Sequence, residues 1–175
     1  GWHLHQSVID PDSGKNLFVP EEGEALTHLG EHWVAGLLEH ARDSCLFSTP
    51  TVNGYKRYQP YQLAPDRIAW GLDNRGAMIR ALFAPGDPAS RIENRVAEPA
   101  ANPYYVFAGP IAAGLSGVER AMVPPPRTET PYAGEGETLP ATLGEAIDAF
   151  AGPEMLRAGF GDDVVDHGLE VARLA

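Results

Sequence analysis

The 175-residue chain has a single cysteine, Cys45, which excludes an internal disulfide and fits a reducing, cytoplasmic setting. No apolar run approaches the roughly 20 residues that cross a bilayer, because Gly, Pro and charged residues interrupt each one, so no membrane partner is expected. The first residues, Gly1-Trp2-His3-Leu4-His5, lack the basic region and apolar core of a signal peptide. Basic residues are few: 13 against 24 acidic ones, a net charge of −11 and the wrong sign for a nucleic-acid partner. There is no repeat period, and no glycine loop of the P-loop or kinase type. What remains is 43% hydrophobic and 21% charged, a globular domain long enough to bury a core, with its acidity serving solubility.

Local patterning marks the elements. His3, His5 and Ser7 alternate with Trp2, Leu4 and Gln6, and a period of two predicts a strand. Residues 10–23, punctuated by Pro11, Gly14 and Pro20, predict a loop. Helical spacing runs from about 25 to 47, with Leu26, Leu29, Trp33, Leu37 and Ala41 as a core stripe and Pro50 beyond its end. Cys45 sits in this apolar stretch and reads as a buried structural thiol. Three β segments follow, near 67–71, 77–83 and 91–96, the last two joined by a turn at Pro85-Gly86-Asp87-Pro88. Asn102-Pro103 opens a second long helix to about Met122, which Pro124-Pro125-Pro126 stops. An exposed, mobile loop is expected from there to Pro140. Thr142 and Glu145 form a capping box, and two short acidic helices finish the chain. There is no initiator Met, and the last segment, 162–175, ends while still helical in pattern. Both features suggest a piece of a longer polypeptide.

Two groups of residues carry chemistry. His3-Leu4-His5 sets two imidazoles on one face of a strand, which suits metal or phosphate but is also found in ordinary packed or exposed histidines. His28 and His32 have i, i+4 spacing, yet a solvated helix face accounts for them; His40 and His167 have no evident partner. Seven basic residues, Lys56, Arg57, Arg67, Arg75, Arg80, Arg91 and Arg95, fall in one stretch of an acidic chain and ask for an anionic partner. Arg91, Glu93 and Arg95 alternate along a strand and share a face. They form either a structural salt-bridge ladder or a site. In a site, the carboxylate holds a divalent ion while the guanidiniums hold phosphate or carboxylate oxygens. Metal, phosphate and carboxylate together describe an ATP-dependent transfer onto an acid.

The order of the motifs adds more than any one of them. Gly1-Trp2-His3-Leu4-His5-Gln6-Ser7 is similar to a Gly-Met-His-x-His-x-Ser strand, and Asn16-Leu17-Phe18 and Ala35-Gly36-Leu37-Leu38-Glu39-His40 follow it. Pro50-Thr51-Val52-Asn53-Gly54-Tyr55-Lys56-Arg57 is close to Pro-Thr-x-Asn-Ser-Tyr-Lys-Arg. Then come Ala64-Pro65, Asp73-Asn74-Arg75, Ile79-Arg80, Arg91-Ile92-Glu93-Asn94-Arg95 and Ala100-Ala101-Asn102-Pro103-Tyr104. In this series, from Gly1 to about Val118 and more loosely in the acidic tail, the chain resembles the glutamine synthetase family.

The resemblance implies an α/β fold, in which a curved antiparallel sheet is backed by long helices. It also implies that residues 1–175 are the C-terminal portion of the catalytic domain, without the N-terminal domain and the first half of the catalytic domain. By the same resemblance His3 and Glu93 are ligands of a metal ion, Mg²⁺ or Mn²⁺, that bridges the ATP phosphates. His5 and Arg91 contact nucleotide phosphates, and Ser7 lies near the nucleoside. Arg57 and Arg95 grip the carboxylates of glutamate, while Arg75 and Arg80 stabilise the phosphoryl group in flight. The implied reaction is attack of the glutamate γ-carboxylate on ATP, giving a γ-glutamyl phosphate that ammonia or an amine opens. A homo-oligomer is implied for the full-length protein. Further metal-binding glutamates would come from the missing part, so this piece alone is expected to be inactive.

One departure bears on the substrate. Ammonia-using members have Gly-Tyr-Glu-Ala-Pro where this chain has Tyr61-Gln62-Leu63-Ala64-Pro65. Leu63 replaces a Glu that helps bind and deprotonate ammonium, and an apolar side chain favours an amine that carries hydrocarbon. The family's adenylylation tyrosine has no convincing counterpart; Tyr132 lies in the right region but in a different context. Two other readings stand beside the ligase. One is a non-catalytic glutamine synthetase-like domain acting in assembly or small-molecule binding. The other is a His-x-His metal-dependent hydrolase, for which further ligands are missing.

Overall fold

The alternation at the start of the chain produces strand β1 (Leu4–Gln6) in a computed structural model that describes residues 1–62, 64–133 and 136–175. β1 pairs antiparallel with β4 (Arg91–Asn94), and β4 in turn pairs antiparallel with β3 (Ile79–Leu82). β2 (Trp70–Leu72) completes the order β1-β4-β3-β2 but runs parallel to β3. The sheet is therefore mixed, where the resemblance led us to expect an antiparallel one. The cause lies in residues 73–78. Asp73 takes a left-handed φ of 45°, and the Asn74 side chain accepts a bond from the Gly76 N–H at 3.0 Å. The chain doubles back far enough for Ile79 to donate to the carbonyl of Ala69, level with the start of β2.

Alternation then divides the sheet. Ile79, Ala81 and Ile92 face the core and are fully buried, while Arg80, Arg91 and Glu93 point to the other side. The core side is covered by α1 (His28–Glu39), along which α3 (Pro103–Glu119) packs. Burying side chains such as Phe18 and Leu37 there contributes about 1.5–3 kcal/mol each. The predicted stripe holds: Leu26, Trp33, Leu37 and Ala41 are buried, with Leu29 half-buried. Trp33 also donates through Nε1 to Gln6 on β1 at 3.2 Å, tying α1 to the sheet.

The first long helix is shorter than its spacing predicts. It stops at His40, whose ring leaves the helix axis to bond Asp43 at 3.2 Å and Ser116 of α3 at 3.0 Å, and α2 (Cys45–Ser48) forms a separate turn. Cys45 is fully buried, and burial pushes its thiol up to about 11, as a structural cysteine requires. Asn102 caps α3 through the Tyr104 N–H, and Thr142 caps α4 (Leu143–Ala151) through the Glu145 N–H. Glu145 bonds back to Ala141 rather than to the cap residue itself. Three helices, not two, end the chain: α4, α5 (Glu154–Phe160) and α6 (Asp162–Arg173). No helix among the described residues is long and apolar enough to cross a membrane.

Pro125, Thr128 and Leu139, in the proline-rich stretch expected to be mobile, are tied to β2 and to the segment before it. Thr128 donates to Trp70, the Trp70 indole donates to Pro125 at 2.7 Å, and Leu139 donates to Asp66. These bonds satisfy an edge that would otherwise be open. The other edge, β1, has no strand partner on its outer side among the described residues.

Glycines set how closely α1 and α3 approach. A Cβ at Gly36 would lie 2.1 Å from the Ala113 carbonyl oxygen, and one at Gly117 would lie 2.1 Å from that of His32. Both neighbours are helix backbone and cannot move aside. Gly117→Ala is expected to lower stability to urea by about 1–3 kcal/mol through overpacking. Gly152→Ala, at a position with open space and negative φ, should leave it within about 0.5 kcal/mol. Equal effects of the two substitutions would show that the helices are not in this contact.

Candidate functional site

The polar face of the sheet is organised by strand register. His5 stands opposite Glu93 on β1, and Arg80 stands opposite Glu93 on β3, so all three side chains emerge on one side. His3 and Arg95, one alternation further along their strands, join the same face. Glu93 is only 2% exposed and has three partners. One oxygen lies 2.6 Å from His3 Nδ1 and accepts from Arg95 Nη1 at 2.7 Å; the other accepts from Arg80 Nη1 at 3.0 Å. Arg80 also pairs with Asp73, through Nε at 2.9 Å. Breaking a buried pair of this kind costs about 3–5 kcal/mol, since the surviving charge stays desolvated. Exposed pairs such as Arg127–Glu129 contribute roughly 0–1 kcal/mol. The weight of the electrostatics therefore rests on the group around Glu93.

Next to it lies a cleft of about 780 Å³ lined by Gly1, His3, Arg57, Gln59, Gln62 and Arg95, among others. Arg57 enters it from a 3₁₀ turn (Gly54–Arg57) and donates to the Val96 carbonyl at 3.3 Å. Gly1 is free of a side chain where the Arg57 guanidinium packs: a Cβ there would sit 1.9 Å from Nη2. On the other side of Glu93, Arg91 donates through Nε to His5 Nδ1 at 3.2 Å, so that nitrogen is the acceptor of the pair. Ser7 is exposed just past the end of β1. Arg75 is exposed on the turn before β3 and makes no hydrogen bond or ion pair among the described residues, although its charge helps lower the Asp73 carboxyl. Register thus brings His3, Glu93, Arg80 and Arg95 into contact, sets Arg57 across a shared cleft, and pairs His5 with Arg91. Arg75 and Ser7 lie at the margins. Leu63, on which the amine preference turned, lies outside the described residues.

Several sequence readings meet their alternatives here. His28 sits 3.5 Å from Glu31 and His32 bonds the Met122 carbonyl, so each imidazole has its own partner and the two form no common site. Two residues important to the site had no role from sequence. Asp73 holds Arg80, and its left-handed φ gave no signal in the sequence. Glu98, 6% exposed, accepts from both the N–H and the hydroxyl of Thr51 and so bolts the Arg57 turn to the end of β4. An acidic residue just after the Arg95-Val96-Ala97 run was its only trace.

His3 and Glu93 set an imidazole nitrogen and a carboxylate oxygen side by side, 2.6 Å apart, two donor types that suit a divalent cation. No group of three His, Cys, Asp or Glu side chains that could hold a metal occurs among the described residues, so the pair would need further ligands to hold one. The surplus of guanidinium over carboxylate on this face, in an otherwise acidic chain, suits a polyanion.

The cluster also sets the pH response. Burial alone would raise the Glu93 carboxyl, but the Arg80 hydrogen bond and the charges of Arg95, His3 and Arg80 outweigh it and hold the group below its ordinary 4.5. For His3, burial and then the Arg95 charge hold the imidazole below its ordinary 6.5, with Glu93 only partly opposing them. Its short contact with Glu93 joins an imidazole nitrogen to a carboxylate oxygen. Both groups bind protons less readily folded than unfolded, so their stabilisation is present at higher pH and lost on acidification. The melting temperature should decline as pH falls below 6.5, and again below 4.5. In Glu93→Gln the second decline should flatten; an unchanged profile would remove Glu93 as its source.

Comparison with known proteins agrees with this geometry. Residues 1–174 match the family model described as glutamine synthetase, catalytic domain. The chain is 47% identical over 174 residues to a γ-glutamylanilide synthase of Acinetobacter sp, covering 99% of this chain and 35% of that protein. It is 37% identical to a γ-glutamylethanolamide synthetase of Streptomyces coelicolor, covering 98% of this chain and 36% of the relative. A solved structure of GmaS in complex with ADP superposes with a TM-score of 0.85 at 30% identity, over 98% of this chain and 41% of the other. The chain therefore spans little more than a third of the length of these relatives. Motif order, register on the polar face and these matches agree, and the chain belongs to the glutamine synthetase family of ligases.

Proposed function

We propose that the whole protein is an ATP-dependent ligase that joins the γ-carboxylate of glutamate to an organic amine, and that this chain is the C-terminal portion of its catalytic domain. The observation that carries this reading is the buried Glu93 carboxylate held by His3, Arg80 and Arg95 beside the cleft that Arg57 enters. Two relatives are named for amides of glutamate with organic amines, and another binds ADP.

In this reading Arg57 and Arg95 hold the carboxylates of glutamate, with Arg95 already fixed by Glu93. His5 and Arg91 contact the phosphates of ATP, and Ser7 lies near the nucleoside. His3 and Glu93 hold Mg²⁺ or Mn²⁺ together with ligands from elsewhere in the whole protein; when bound, the ion neutralises phosphate charge. The γ-carboxylate oxygen of glutamate attacks the γ-phosphorus of ATP, the bond to ADP breaks, and γ-glutamyl phosphate forms. Arg75 and Arg80 offset the charge on the transferring group. The amine nitrogen then attacks the acyl carbon, phosphate leaves, and the amine loses a proton. Leu63 in place of a carboxylate favours an amine with hydrocarbon over ammonium. The protein works as a cytoplasmic homo-oligomer, and the isolated 175-residue chain is inactive for want of the remaining ligands.

Steady-state assays of the whole protein test this. Aniline or ethanolamine should give a higher kcat/KM than ammonium, with formation of the amide dependent on ATP. Arg57→Ala should raise the KM for glutamate by about 10- to 100-fold, the scale of a lost charged hydrogen bond. Arg75→Ala should instead lower kcat by about 10²- to 10³-fold. A preference for ammonium would overturn the amine assignment, and absence of any ATP-dependent amide would overturn the ligase.

A further inference from the structure

Two residues past the end of β4, the Val96 carbonyl lies outside the strand ladder and receives side chains instead. Arg57 Nη1 donates to it at 3.3 Å, and the Tyr58 hydroxyl donates to it at 3.1 Å. That hydroxyl also shares a hydrogen bond with the hydroxyl of Thr49, which is fully buried and lies 3.4 Å from the same carbonyl. The Arg57 Cζ stands 5.8 Å from the centroid of the Tyr58 ring, within reach of a cation–π contact. Tyr58 thus meets Arg57 twice, through its ring and through a shared acceptor. The ring is itself fixed, 7% exposed and edge-on to Tyr55 at 5.9 Å. Burial pushes the phenol well above its ordinary 10, so the hydroxyl keeps its proton.

A residue that only filled the core would need the ring and not the hydroxyl. A buried hydroxyl costs free energy unless it is bonded, and here its partners are Thr49, before the Arg57 turn, and Val96, at the end of the strand that bears Arg95. Arg57 and Arg95 line one cleft but come from separate elements, a 3₁₀ turn and a strand end. Neither element by itself sets the distance between the two guanidiniums. The bond from Tyr58 to Val96 ties them together. Glu98 braces the approach to the turn through Thr51, whereas Tyr58 braces the end that carries Arg57. Tyr58 does not itself line the cleft, so its effect on a bound molecule passes through Arg57.

We propose that Tyr58 is a positioning residue whose hydroxyl and ring fix Arg57 relative to Arg95, so that the spacing of the two guanidiniums matches the carboxylates of glutamate and rejects shorter diacids. This rests on the ligase reading above. Aspartate is shorter than glutamate by one methylene, and misplacement on the scale of 1 Å is enough to cost a large part of the rate. A guanidinium free to shift would therefore hold glutamate less well and discriminate less between the two acids.

Tyr58→Phe in the whole protein tests this, because it keeps the ring and removes the hydroxyl. The KM for glutamate should rise by about two- to tenfold, the scale of one lost hydrogen bond, with kcat changing by less than about twofold. The ratio of kcat/KM for glutamate to that for aspartate should fall by about two- to tenfold. In an Arg57→Ala background, Tyr58→Phe should raise KM no further, since it acts through the missing guanidinium. A KM that stays at the native value, or that rises equally in both backgrounds, overturns the proposal; a fall in melting temperature alone would leave Tyr58 a packing residue. Thr49→Val, which keeps Tyr58 and removes a partner of its hydroxyl, carries the same test should Tyr58→Phe not fold. A native protein that makes no amide from glutamate overturns the ligase reading instead. The tie is then decided by melting temperature, which Tyr58→Phe and Arg57→Ala together should lower by less than the sum of their separate effects; additive effects would mean that no tie exists.

Discussion

The polar half of this molecule depends on one buried carboxylate. Glu93 is desolvated on the central strand β4, and a lone charge in that position would cost several kcal/mol. It is tolerated because Arg80 and Arg95 donate to its two oxygens and the His3 imidazole approaches the oxygen that Arg95 holds. Each partner is thereby fixed in turn. Arg95 is oriented toward the cleft, Arg80 is drawn between Glu93 and Asp73, and His3 is turned so that its Nδ1 faces the carboxylate. An arginine side chain that is already ordered loses less conformational freedom when an anion arrives, which is the advantage of holding an anion with such a group.

The rest of the fold serves to hold that strand still. The core face of β4 and β3, through Ile92, Ile79 and Ala81, belongs to one buried cluster with α1, and α1 packs along α3. Those two helices approach so closely at Gly36 and Gly117 that their backbones leave no room for a Cβ. Dense packing of this kind resists small displacements. The Arg57 turn is held independently, by Glu98 accepting from Thr51 and by the close passage of Gly54, whose Cβ would lie 2.6 Å from a Glu98 oxygen. The two halves of the candidate site are thus braced by different parts of the structure: the sheet for Glu93, and a capped loop for Arg57.

Much of this was legible from patterning. The alternation His3-Leu4-His5 and Arg91-Ile92-Glu93 predicts both strands and which side chains share a face, because a period of two leaves no other arrangement. The stripe in α1 and the caps Asn102 and Thr142 are equally local and held. Misreadings occurred where a distant partner decided the outcome. The first helix ends at His40 because Ser116, on another helix, takes its ring. Pro125, Thr128 and Leu139 of the proline-rich stretch after α3 are tied down by hydrogen bonds with Trp70 and Asp66. The parallel pairing of β2 depends on a left-handed Asp73, which residue type does not announce.

By itself, the sequence determined the family, through collinear motifs from Gly1 to Tyr104, and it determined which residues line one face of the sheet, through periodicity. Only the tertiary structure decided whether Arg91-Ile92-Glu93-Asn94-Arg95 was a salt-bridge ladder or a hub. It brought Arg80 and His3 to Glu93 from two other strands, while Arg91 turned away to His5. Pairing across strands is set by register, and register depends on turns and core packing contributed by residues far apart in the chain. For the same reason the bonds of Tyr58 to Thr49 and Val96, and the buried Glu98, became visible only once the chain was folded.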